Sequence, residues 1–502
     1  MQDNRKTRAK KNIITSLSGQ IVTLLCGLVV PRLLIQTFGS EAYGATSSIT
    51  QFLAYVTLLE GGIGGVARAA LYGPLARNDR QMISNIVAEL RHFFLIVAAI
   101  FAVYVAVLAC CFREISNVTC MDWLSTCLLV VVISISTFGQ YFIGISNTVL
   151  LQAAQKSYIT NVISLVATIV NAVSVVILVY LDCNIIVVKL ASSCIFFLRP
   201  VILWLYVKKA FNLPPKSKNT NKALAQKWEG LGQHIAYFLH TNTDIVVLTC
   251  LANLRSVAVY TVYNMVVTNI QNLAISFVSG MEALFGDMLA KKEYNQLCKT
   301  FGYYEMLISM VTVILFSVTA VMIVPFVKIY TAGITDADYI APVFAVLLVL
   351  SGVLYCLRMP YHSLVIAAGH FRQTRVAAYA ETAINVGLSI MLVGKFSLIG
   401  VAAATVIATG VRFLYYVIYL SKNIIQRRIS LFAKRILVNV LLFAVVVSLG
   451  SKIMTMVPMN SYGLWAIYAA LTAAFTAAIT LGVNFVCYKQ DFESVLKKFV
   501  NK

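Results

Sequence analysis

Charge is scarce in this chain, and negative charge scarcest. Asp, Glu, Lys and Arg make up 12% of its 502 residues, against about 25% in soluble globular proteins. Mean hydropathy is +0.84. A soluble enzyme or water-soluble binding module is excluded. The 11 cysteines contain no Cys-x-x-Cys pair and no metal-ligand spacing, so no metal site is expected. Most lie in apolar stretches and read as small apolar fillers, although Cys111 and Cys120 flank one outer loop closely enough to pair. There is no Walker A sequence, which excludes ATP hydrolysis by this chain, and no other cofactor is implied. Gly62-x-Gly64-x-x-Ala67 has dinucleotide-fingerprint spacing but follows no strand, so it is rejected. No cleavable signal peptide is expected, because Lys10 and Lys11 precede an apolar run too long for one. Long outer loops are missing too. The longest, about 326–337, holds Asp336-Ala337-Asp338, which reads as a solvated loop. A polymerase or ligase acting on lipid-linked sugars has no room there for catalytic groups, so the chain is not read as an enzyme.

What is present is a train of fourteen apolar stretches: 13–38, 43–68, 89–112, 122–151, 158–181, 184–207, 231–252, 255–285, 301–325, 338–358, 374–394, 397–421, 436–457 and 462–488. Each reaches the roughly 20 residues that cross a bilayer. The fold class is therefore an all-α polytopic membrane protein with about 14 transmembrane helices. Lys and Arg alternate between the connections. Segments on the N-terminal side hold 31, those opposite hold 5, and Arg32, Lys189, Arg199 and Arg412 lie inside spans. Short basic loops resist translocation, so both termini are expected in the cytoplasm. The net charge of +21 then serves topology and contact with anionic lipid, and no nucleic-acid partner is expected.

The chain is also duplicated. Ala-Leu-Tyr-Gly-Pro-Leu-Ala-Arg at 70–77 is similar to Ala-Leu-Phe-Gly-Asp-Met-Leu-Ala-Lys at 283–291, with Gly73 and Gly286 213 residues apart. Gly19-Gln20 matches Gly232-Gln233, and Arg199 matches Arg412, at the same shift. At 214, Ala153-Ala154 matches Ala367-Ala368 and Asn171 matches Asn385. Six spans separate the copies, so they share one orientation, the parallel-repeat plan of secondary transporters with substrate between the halves. The expected organisation is an N-terminal six-helix lobe at 1–207 and a cytoplasmic linker at 208–229. A C-terminal six-helix lobe follows at 230–422, then two additional helices and a tail at 423–502. The connections 69–88 and 286–300 read as amphipathic helices lying in the interface.

Charges inside a span cost about 2.5–3.5 kcal/mol each on insertion scales and normally face a cavity or protein interior. In the seventh span Gln233, Tyr237, His240 and Asp244 share one helix face. His240 and Asp244 are candidates for binding a coupling proton or cation, the alternative being polar glue between helices. Pro31 is expected to kink the first span. Arg32 then sits at about the depth of Asp244 and is a candidate contact for an anionic substrate. Arg199 and Arg412, the symmetric pair, lie about 12–15 Å from the ends of their spans at 1.5 Å per residue. They either clasp a pyrophosphate or snorkel. Arg68 joins them as a candidate substrate contact. Glu60, ahead of Gly61-Gly62-Ile63-Gly64-Gly65, and Glu282 are candidates for gating or for interface anchoring, and the glycines for close packing or bending. Lys189, near the outer end of its span, reads as snorkelling, and Arg358 with His362, one turn apart at the end of the tenth span, either contacts phosphate or snorkels.

At this point the residues resemble a family. Gln20, Pro31-Arg32-Leu33-Leu34 and Phe38-Gly39-Ser40-Glu41-Ala42-Tyr43-Gly44 are similar to the polysaccharide-transporter branch of the MOP superfamily, which includes the Wzx-type flippases. So are Leu59-Glu60-Gly61-Gly62-Ile63-Gly64 and Ala70-Leu71-Tyr72-Gly73-Pro74-Leu75-Ala76. The resemblance implies two pseudo-symmetric lobes rocking around a cationic cavity. It implies transfer of undecaprenyl-pyrophosphate-linked oligosaccharide to the periplasmic leaflet of the bacterial inner membrane, driven by proton or sodium counterflow. A polysaccharide polymerase and chain-length regulator are the implied protein partners. A MATE-type multidrug or cation antiporter is the alternative, disfavoured by the two extra spans. A MurJ-type lipid II flippase, also of fourteen spans, is the other.

Overall fold

The computed structural model describes residues 2–60, 63–215, 231–276, 281–427, 429–456 and 461–488. Among the described residues the chain forms fifteen α-helices and no strand. In the first half these are α1 (Gln2–Ala54), α2 (Ile63–Arg77), α3 (Arg80–Ser116), α4 (Trp123–Gly139), α5 (Ile145–Ala153), α6 (Ser157–Tyr180), α7 (Ile185–Phe211) and α8 (Leu231–Leu251). They continue as α9 (Leu254–Ser276), α10 (Met281–Ala290), α11 (Tyr294–Tyr330), α12 (Pro342–Ala367), α13 (Phe371–Asn423), α14 (Ile429–Met456) and α15 (Tyr462–Cys487).

Among the described residues ten helices are long and apolar enough to cross a membrane, against fourteen expected spans. Part of the difference lies in helix turns too tight to interrupt an element. Apolar helix runs from Ile14 to Leu59 and from Arg372 to Asn423, 46 and 52 residues. At about 1.5 Å per residue each covers two crossings of a roughly 30 Å core. α1 breaks at Gly39, with φ +83°, and α13 at Ser397, with φ +46°. Pro31 stays inside α1, whose one non-helical residue is Gly39, so the expected kink is displaced by eight residues. The polar faces of α8 and α9 account for the rest. The expected interface helices are also not separate elements. α2 runs to Arg77, turns at Asn78 and Asp79, and α3 then continues for 37 residues. α10 and α11 repeat this through a turn ending at Glu293, and α11 also has 37 residues.

The turns carry the duplication. Left-handed residues occur at Asn78 and Lys292, at Gln155 and Gly369, and at Asn212 and Gln426. Each pair is 214 apart, the spacing found in the sequence. Left-handed backbone is costly outside Gly and Asn, so its recurrence marks conserved geometry between the halves of one chain.

The chain divides into two compact units, 1–258 and 259–502. α8, which the duplicated reading counts with the second half, packs in the first. There the Ser48 and Thr249 hydroxyls pair at 2.7 Å, and the Gln51 amide donates to the Asn242 side-chain carbonyl. The first unit's core is built on Ile49, Leu71, Leu90, Phe94, Phe101 and Phe112. In the second, Phe301, Tyr361, Phe413 and Phe432 contact each other edge-on at 5.3–6.0 Å between centroids. α14 and α15 pack on α11, where the Trp465 indole donates to the Met322 carbonyl at 3.0 Å. α15 buries Thr476, Thr480 and Asn484 and turns Leu471, Phe475 and Phe485 outward. Polar-in and apolar-out suits a lipid surround, where such a patch carries no aggregation cost.

Candidate functional site

The first unit encloses a cavity of about 800 Å³, lined by α1, α2, α4, α5, α7 and the irregular turns between them. Two helix defects shape it. Residues Tyr55–Leu59 at the end of α1 tighten to a 3₁₀ turn. Residues Gln140–Gly144, between α4 and α5, widen to a π turn. Such defects inside long helices recur at functional sites.

Three of the charged residues singled out from the sequence meet here: Glu60, Arg68 and Arg199. Gly64 and Gly65 lie beneath two of them. A Cβ at Gly64 falls 3.4 Å from the Glu60 carboxylate, and one at Gly65 lies 4.0 Å from the Arg68 guanidinium. Gly61 and Gly62 lie outside the described residues. Arg199 reaches in from α7. Its Nη2 donates to the Ser164 hydroxyl at 2.7 Å, and its guanidinium lies 5.8 Å from the Phe196 ring centre. Among the described residues it forms no ion pair. The rest of the wall is uncharged, with Ser136, Thr137, Gln140, Thr148 and Gln152 set among apolar side chains such as Val56, Ile145 and Val149. Two guanidiniums and one carboxylate beside hydroxyls and amides suit a ligand with phosphate charge and many hydroxyls.

The other candidates lie elsewhere. Arg32 is half-buried on α1 and does not line the cavity. Asp244 is buried on α8, one turn from the Asn242 and Thr249 contacts. The side chain of His240 lies outside the described residues, so its pairing with Asp244 does too. Glu282 is exposed in the first turn of α10, where the helix dipole favours a carboxylate. Lys189 is on α7, away from the cavity. All eleven cysteines are free thiols, Cys111 and Cys120 included.

Arg412 occupies a different setting from Arg199. It is buried in the second unit, where its guanidinium donates to Glu381, and Arg358 binds the other carboxylate oxygen at 2.5 Å. Arg412 Nη2 also donates to the Tyr416 hydroxyl at 3.1 Å, and His362 Nδ1 lies 3.4 Å from that hydroxyl. A second buried carboxylate, Glu305, accepts from Arg427 at 2.7 Å, from Arg435 at 2.6 Å and from the Tyr361 hydroxyl. Sequence reasoning missed Glu381 and Glu305. The signal was available, since each is a lone acid in an apolar span, and such acids need a partner. It also missed Gln140 and Gln152.

A family model described as polysaccharide biosynthesis protein matches residues 9–285, more than half of the chain. No curated protein matches. Among solved structures, the lipid II flippase MurJ in an inward closed conformation aligns with a TM-score of 0.68 at 14% identity, covering 94% of this chain and 99% of that one. An inward-facing MATE multidrug resistance transporter of the MOP superfamily gives 0.57 at 15%, covering 82% and 98%. A MOP superfamily transporter from Pyrococcus furiosus gives 0.55 at 16%, covering 83% and 96%. At these identities the likeness shows the fold alone, and the ten apolar helices among the described residues support a multi-pass membrane protein.

Proposed function

The chain belongs to the polysaccharide biosynthesis protein family, and on that premise we propose that it is a flippase for undecaprenyl-pyrophosphate-linked oligosaccharide. It moves the headgroup from the cytoplasmic to the periplasmic leaflet of a bacterial inner membrane while the polyprenyl tail stays in lipid. No covalent bond is made or broken. The observation that carries this reading is the cavity of the first unit, where Arg68 and Arg199 share the lining with uncharged hydrogen-bonding side chains. Arginine forks match phosphate oxygens, and amides and hydroxyls match sugars. A pyrophosphate is too costly to carry through hydrocarbon unpaired.

Both termini sit in the cytoplasm on this reading, as the 31:5 distribution of Lys and Arg requires. Asp244, with His240, binds the proton or sodium ion whose counterflow drives the cycle. Arg32 and Glu282 remain candidates for later contacts of the cycle, whereas Arg412 is held by Glu381 in the core of the second unit, and Glu60 gates the cavity by its charge. The polymerase and chain-length regulator receive the product. A MATE-like antiporter for cationic drugs is the second reading, and the two arginines against one carboxylate in the cavity disfavour a cationic cargo. A lipid II flippase is separated by complementation of a strain lacking its own.

The test is deletion of the gene, followed by mass spectrometry of undecaprenyl-linked intermediates and measurement of surface glycan. Loss of surface glycan with a complete oligosaccharide trapped on the lipid supports flipping and identifies the cargo. Normal surface glycan with altered sensitivity to cationic drugs, in a strain without a redundant flippase, sinks the reading.

A further inference from the structure

The cavity lining holds two chemically different sets of side chains, the charged Arg68, Arg199 and Glu60 and an uncharged stripe on α4 and α5. We infer that this stripe, Gln140, Thr148 and Gln152 aligned by the π turn, reads the sugar hydroxyls and sets which glycan the protein accepts. The inference rests on the flippase reading above.

The alignment follows from helix geometry. An α-helix advances about 100° per residue. In an unbroken helix Thr148 and Gln152 lie about 80° and 120° around from Gln140, on different faces. A π turn absorbs one residue without advancing the face. With Gln140–Gly144 in a π turn, the offsets fall to about 20° on either side. All three side chains line the cavity. The wider turn is secured locally, with the Asn147 amide donating to the Ile143 carbonyl at 2.7 Å and the Thr148 hydroxyl to the Gly144 carbonyl at 3.0 Å.

Gly144 makes the arrangement fit. A Cβ there meets the Gln140 Oε1 at 2.8 Å and the Pro200 Cβ at 3.0 Å. Its absence lets the Gln140 amide fold over the turn and lets the turn pack on α7 beside Arg199. Gln140 and Gln152 are half-buried, and among the described residues neither side-chain amide has a hydrogen-bond partner. An amide offers both donors and an acceptor, the complement of a hydroxyl.

The duplication supplies a control. At the 214-residue shift Gln140 becomes Leu354, Gly144 becomes Arg358, Thr148 becomes His362 and Gln152 becomes Ile366. There α12 runs unbroken from Pro342 to Ala367. The fold does not need the stripe or the π turn, so their presence in one copy points to a task.

The test is binding by the full-length protein in lipid nanodiscs. The probes are undecaprenyl pyrophosphate and the lipid-linked oligosaccharide recovered from the deletion strain. Gln140→Ala and Gln152→Ala should each weaken the glycosylated lipid about five- to tenfold, the loss of roughly one hydrogen bond, and leave the bare lipid pyrophosphate unchanged. Arg199→Ala should weaken both. Gly144→Ala should mimic Gln140→Ala if it folds, and the glutamine variants decide the matter if it does not. If the glutamine variants weaken both probes equally, or neither, the sugar-reading wall is wrong and the flippase reading stands. If the wild-type protein binds neither probe, the flippase reading fails and this assignment with it.

Discussion

Arg199 and Arg412 hold equivalent places in the two halves, yet one faces a cavity and the other is locked in a core. Arg412 shares Glu381 with Arg358, and all three are buried. Among the described residues Arg199 has only the Ser164 hydroxyl and the Phe196 ring. The sequence differences that decide this are small. At the 214-residue shift Glu381 is Ala167 and Arg358 is Gly144. Without the acid the guanidinium of the first unit keeps its charge for a ligand, and without the second arginine there is room for the π turn. The same scaffold thus yields a rigid half and a receptive half.

The contrast can be broken from either side. The largest expected effect is from Glu381→Ala, which strands two buried guanidiniums and should cost about 3–5 kcal/mol. Thermal unfolding of the detergent-solubilised protein should show it as a sharp fall in Tm or in folded yield. A melt within a degree or two of wild type contradicts the structural role given to the triad. Next is Ser164→Asp, which gives Arg199 the carboxylate Arg412 already has. Glycan export should drop about tenfold, equivalent to about 1.4 kcal/mol of lost binding, while the melt is unchanged or raised. Normal export from this variant means that Arg199 does not need its charge free. The smallest is Ser48→Ala, which removes one side of the hydroxyl pair with Thr249 and should cost about 1 kcal/mol, with export retained. A loss of export with an unchanged melt would instead give that pair a part in transport.

Most of the helical layout was legible in the sequence. Apolar length gave most of the helices, ten spanning ones among the described residues against fourteen expected, and the matched pairs share their spacing with the left-handed turns at Asn78 and Lys292 and at Asn212 and Gln426. The interface helices were misread because the amphipathic pattern at 80–88 simply continues α3. Arg68, Arg199 and Glu60 were visible separately, as charges in apolar surroundings, but nothing in their spacing joins them to one cavity. Gln140 and Gln152 were invisible for a geometric reason. Read with α periodicity they fall on different faces, and only the π turn brings them together. Glu381 and Glu305 were overlooked because attention to Lys and Arg leaves out the acids that hold them.

The central claim is that the first unit's cavity carries the lipid-linked glycan through Arg199. The most direct measurement is mass spectrometry of undecaprenyl-linked intermediates in cells whose only copy of the gene encodes Arg199→Ala, with the membrane level of the protein measured in parallel. Wild-type protein levels are expected, with a complete lipid-linked oligosaccharide accumulating at least tenfold and little surface glycan. Wild-type levels of both the lipid intermediate and the surface glycan would contradict it.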